Sequence, residues 1–113
     1  MEFTDFKSIR IKYKCLGNPD SKAVVLLHGY LESLEIWDGF AEKLSEKYFV
    51  VSMDLPGHGE SGIFSNLHSM DDLAEAVHRV SESLGLKKIH IVGHSLGGYV
   101  ALAFSEMYPA SLK

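Results

Sequence analysis

The sequence predicts an α/β fold of about five strands around a mostly parallel central sheet, its first strands antiparallel, with flanking helices. Two observations carry this. After two N-terminal strands, the chain alternates strand-like and helix-like stretches three times over. The tips of three successive strands then carry His28-Gly29, Asp54-Leu55-Pro56-Gly57 and Ser95. Those are carboxyl ends, where ligand chemistry gathers in folds of this kind.

The elements follow in order. Phe3–Phe6 and Ile9–Cys15 read as two strands joined tightly around Lys7-Ser8. In the second, Ile9, Ile11, Tyr13 and Cys15 alternate with Arg10, Lys12 and Lys14, which predicts one apolar and one wet face. After a turn cluster at Leu16-Gly17-Asn18-Pro19-Asp20, the unbroken apolar run Ala23–Leu27 suits a strand covered on both sides. Ser33 can cap a helix through Leu44 with Trp37, Phe40, Ala41 and Leu44 on one face; Gly39 weakens it by about 1 kcal/mol. Tyr48–Met53 is the next buried strand, and it runs into an irregular loop, Asp54–Gly62. Gly57–Ser69 is rich in loop formers and reads as a connection inside one domain. Ser69-Met70-Asp71-Asp72 resembles a capping box. Leu73, Ala76, Val77, Val80 and Leu84 then mark one helical stripe, ended by Gly85. Lys87–Val92 is a further strand, and Leu96–Tyr108 a helix stopped by Pro109. His68 and His78 flank or ride the preceding helix on wet faces, while His90 alternates with Ile89 and Ile91 as a sheet residue.

The 113 residues suffice for one small domain. Eleven basic and fifteen acidic residues give a net charge of −4, which provides no electrostatic footprint for nucleic acid or an anionic membrane. Cys15 is the single cysteine, so no intrachain disulfide forms; this fits a reducing cytoplasm. Cys15 reads as a packing residue near a strand end. The first six residues lack the basic and apolar regions of a signal peptide, and no apolar run approaches the ~20 residues of a membrane span. The histidines show no metal-ligand grouping and the glycines no dinucleotide spacing, so neither metal nor cofactor is expected.

Chemistry concentrates in Gly93-His94-Ser95-Leu96-Gly97, placed between an apolar strand and a helix. In that context the motif reads as a nucleophile elbow. Ser95 stands on a tight turn at a helix N-terminus, whose amides favour developing negative charge. Gly93 and Gly97 flank it where strand end and helix start approach too closely for side chains.

Together these motifs resemble the α/β-hydrolase superfamily over essentially the whole chain. His28-Gly29-Tyr30 looks like its oxyanion loop, Asp54–Ser61 like the loop after its fourth strand, and Gly93–Gly98 like its elbow. The version here is similar to small serine esterases, lipases and acyl or C–C bond hydrolases, and unlike the haloalkane dehalogenases, which place aspartate where this chain has Ser95. The resemblance implies a serine nucleophile, Ser95, that attacks ester-like substrates to give an acyl-enzyme. It implies that the backbone amides of Leu96 and Tyr30 hold the oxyanion. His28 is expected to brace the oxyanion loop, Asp54 and His58 to pin theirs, and Ser61 to serve as a turn residue.

The family continues from the serine to an acid and then a histidine. Here only Glu106 follows as an acid, and no histidine does. Glu106 lies about 16 Å of helix rise from Ser95, too far to serve. His94 is a poor substitute base, because neighbouring side chains at a strand tip point oppositely. The resemblance therefore implies a single incomplete domain over residues 1–113, stopping before a sixth strand. On its own it would be nearly inactive, because serine without a base is a weak nucleophile. The strand before Ser95 would be a bare sheet edge, open to homodimerisation, domain swapping or a complementary C-terminal half. The alternative reading is a shortened, non-catalytic module that binds a partner through that edge.

Overall fold

The strands are β1 (Glu2–Phe6), β2 (Ile9–Leu16), β3 (Ala23–Leu27), β4 (Phe49–Met53) and β5 (Ile89–Gly93). They form one sheet in the order β1-β2-β4-β3-β5 in this computed structural model, which describes residues 2–6, 9–29, 33–56 and 69–113. β1 pairs antiparallel with β2, and β2 with β4; β3 then runs parallel to both β4 and β5. The sheet is thus mixed, its parallel half being the one that leads to Ser95. Every residue of β3 and of β4 is buried, which explains why those two segments carry apolar runs without alternation.

Helices cover both faces. α2 (Met70–Ser83) and α3 (Leu96–Met107) pack Leu73, Ala76, Val77, Val80, Val100 and Phe104 against Val25, Leu27, Val51 and Ile89. α1 (Asp38–Leu44) covers the opposite face, where Ala41 meets Val24, Leu26 and Val50. The side chain and backbone of Ser69 exchange hydrogen bonds with Asp72, completing the capping box at the start of α2.

Three expectations are corrected. The segment after Ser33 begins as a 3-10 turn, Leu34–Trp37, before becoming α1. The tighter winding shifts the phase of the helix, so Leu34 is buried while Phe40 is 50% exposed. The wet face of β2 is not wet throughout. Lys12 is only 8% exposed, because β2 lies between β1 and β4 rather than at an edge. His78 is half-buried, not on a wet face: its ring stacks on Tyr108 with centroids 4.0 Å apart and also meets Phe104. The α2–α3 interface needs an aromatic there, and helical periodicity alone does not distinguish the flank of the stripe from its exposed side.

Gly39 lies in α1 with nothing within 4 Å of where a Cβ would stand. Gly39→Ala is therefore expected to raise stability by about 1 kcal/mol, seen as a higher urea midpoint at unchanged m-value.

Candidate functional site at the β5–α3 bend

Ser95 joins β5 directly to α3 with φ 54° and ψ −110°, the one positive φ outside glycine among the described residues. An L-residue in that conformation costs roughly 1–3 kcal/mol and persists only where its surroundings over-determine it. Here they do. The His94 N–H donates to the Leu27 carbonyl at 2.9 Å, tying the bend to the tip of β3. The Ser95 carbonyl accepts from the N–H groups of Gly98 (2.9 Å) and Tyr99 (3.3 Å), so α3 begins at once. Serine at such a position commonly spends its hydroxyl on a helix amide. Ser95 makes no side-chain cap and is exposed.

The flanking glycines are steric requirements. A Cβ on Gly93 would overlap the carbonyl of Gly97 and come within 2.6 Å of the Gly98 nitrogen. A Cβ on Gly97 would overlap the Leu27 carbonyl and stand 2.8 Å from the Leu27 Cβ. Gly98 is different: the nearest atom to its Cβ position is 3.8 Å away. The Leu96 amide lies in the first turn of α3, where N–H groups have no partner within the helix and carry partial positive charge.

Two buried side chains organise the neighbouring strand tips. The His28 Nε2 accepts from the Leu55 N–H at 3.0 Å, which leaves its proton on Nδ1, donated to the Gly29 carbonyl at 2.7 Å. Asp54 Oδ1 accepts the Leu34 N–H at 2.7 Å, while the Asp54 N–H donates to the Lys12 carbonyl. Gly29 and Leu34, on either side of positions 30–32, are thereby both fastened to the chain leaving β4.

Tyr30, His58, Ser61 and His68 lie outside the described residues. Among those described, no histidine ring is hydrogen-bonded to the Ser95 hydroxyl. His90 pairs with Val24 near the start of β5, far from the bend, and Glu106 is exposed on α3. No group of three His, Cys, Asp or Glu residues among those described could hold a metal ion. Sequence reasoning missed the Asp54–Leu34 bond and the role of the Leu27 carbonyl. The latter is a backbone atom and leaves no residue-type signal.

Cys15 lies half-buried on β2, and burial, followed by the charge of Glu2, pushes its thiol up to about 11. Its thiolate fraction at pH 7 falls about a hundredfold relative to an ordinary cysteine. Alkylation by iodoacetamide is expected to be slower by a similar factor, and to reach the ordinary rate in urea.

The family model described as the alpha/beta hydrolase fold matches residues 22–113. The chain belongs to that family. Among curated proteins it is 35% identical over 100 residues to the dihydrolipoyllysine-residue acetyltransferase component of an acetoin cleaving system from Cupriavidus necator, covering 88% of this chain and 26% of that protein. It is 29% identical over 116 residues to the monoacylglycerol lipase abhd6-B of Xenopus laevis, covering 99% of this chain and 34% of the lipase. Among solved structures, a thermophilic esterase from Thermogutta terrifontis superposes with a TM-score of 0.88 at 32% identity, covering 92% of this chain and 38% of the esterase. This α/β-hydrolase chain thus spans about a third of the length of such relatives, several of which are hydrolases. Among its described residues, no helix is long and apolar enough to cross a membrane.

Proposed function

We propose that Ser95 is the nucleophile of a serine hydrolase acting on carboxylic ester-like or related acyl substrates. The observation that carries this reading is the strained, glycine-walled conformation of Ser95, which leaves the hydroxyl exposed and uncapped. The Ser95 Oγ adds to the substrate carbonyl and gives its proton to a base. The Leu96 and Tyr30 amides hold the resulting oxyanion, one such donor being worth roughly 3 kcal/mol. Collapse expels the alcohol, which takes up the proton, and leaves an acyl-enzyme for water to cleave. His28 holds the Gly29 carbonyl through its Nδ1–H and acts through position rather than proton transfer. Asp54 holds the far side of the same loop. The single cysteine supports a cytoplasmic setting.

The base and its acid partner come from sequence beyond these residues, a complementary C-terminal half. The test is p-nitrophenyl acetate hydrolysis. These 113 residues alone are expected to turn it over barely faster than buffer, and a protein containing them with the further strands to do so with an acyl burst. No burst from that longer protein would count against the reading.

A second reading is favoured by the outer edge of β5. Among the described residues β5 is the outermost strand on that side, Leu112 forms an isolated parallel bridge to Ile89, and Val92 is 38% exposed. In this reading the chain is a non-catalytic module that pairs with a copy of itself or a partner through that edge. Light scattering is expected to show mass rising with concentration; a constant monomer mass to millimolar concentration would exclude self-pairing.

A further inference from the structure

The end of the sheet opposite Ser95 carries a feature that the hydrolase reading does not use. Where β3 and β5 begin, a cavity of about 320 Å³ is lined by Ser21, Lys22, Lys87, Lys88, His90 and Lys113, among others. Four of the chain's eleven basic residues meet there, although its net charge is −4. No aspartate or glutamate lines the cavity. Among the described residues none of the four lysines is ion-paired; the lysine ion pair found there runs instead from Lys14 to Asp38.

The placement is built by the fold. Lys22 precedes β3, and Lys87-Lys88 precede β5, so the parallel pairing of Ala23 with Ile89 sets them side by side. The Lys113 N–H donates to the Ile89 carbonyl at 2.9 Å, which brings the fourth lysine to the same strand start. His90 and the Ser21 hydroxyl add further hydrogen-bonding groups.

We infer that this cavity is a binding site for a small ligand bearing one or two phosphate groups, separate from Ser95. Ammonium groups recognise phosphate oxygens as point charges without demanding a planar fork, which suits a cluster of lysines lacking arginine. The volume lies at the small end of ligand pockets, which suits a phosphate ester of a small molecule or free pyrophosphate.

The test is a 15N–1H NMR titration of the chain at constant ionic strength, with inorganic pyrophosphate in one arm and glucose 6-phosphate in the other. Saturable shifts at Ser21, Lys87, Lys88 and His90, with a common dissociation constant, are expected, and the tighter arm identifies the source of the phosphate. The double variant K87E/K88E is expected to weaken binding roughly tenfold or more, and K22E, on a separate segment, to weaken it as well. Shifts that grow linearly without saturation in both arms, or affinity unchanged in both variants, would overturn the site.

Discussion

Gly97→Ala is expected to cost about 3 kcal/mol or more, a large part of the 5–15 kcal/mol that holds an ordinary domain folded. The added methyl would meet the carbonyl and Cβ of Leu27, the first of which is backbone in a strand buried along its whole length. Neither neighbour can swing aside, so α3 must move as a body, breaking the His94–Leu27 bond that holds the bend. Gly98→Ala is the control. It adds the same methyl one residue later, in the same helix, at an ordinary contact distance of 3.8 Å, and is expected to gain about 1 kcal/mol from helix propensity. Urea denaturation of the two variants checks both signs. Equal effects would mean that the bend is not as tightly walled as described.

Ser95→Ala, made in a protein that joins these residues to the further strands, is expected to lower ester turnover by about 10⁴–10⁶ while leaving folding intact. Turnover within tenfold of the parent would remove Ser95 from the chemistry. Ser95→Gly should be equally inactive but about 1 kcal/mol more stable than Ser95→Ala, because glycine accepts φ 54° without the Cβ penalty. A thermal or urea comparison of these two inactive variants reads the strain separately from the nucleophile. If they unfold together, the bend stores no strain.

Much of the fold was legible because the chain punctuates itself with strong local signals. The apolar run at Ala23–Leu27, the Ser69–Asp72 box and the glycine after α2 each fix an element with no help from the rest of the chain. The errors lie where a neighbour decides. Lys12 is buried by strands on both sides, Phe40 is exposed by a 3-10 start six residues earlier, and His78 is claimed by an aromatic thirty positions away. At the site, Gly-x-Ser-x-Gly announced the bend, since only small residues fit beside it. The fastening of Gly29 and Leu34 to the chain after β4 was visible as candidates, His28 and Asp54, but not as bonds. The lysine cavity was hidden because net charge averages over a surface, whereas parallel pairing collects residues that the sequence keeps far apart.

The direction of the Leu112–Ile89 bridge sets a rule for what can pair with the outer edge of β5. A copy of β5 related by a twofold axis normal to the sheet would run antiparallel to it, placing the two Ser95 bends at opposite ends of the joined sheet. Symmetric dimers of that kind bury the edge yet deliver no side chain from one copy to the serine of the other. Only a strand entering in the sense already begun at Leu112 finishes level with Ser95, so oligomer formation and gain of activity are separable outcomes.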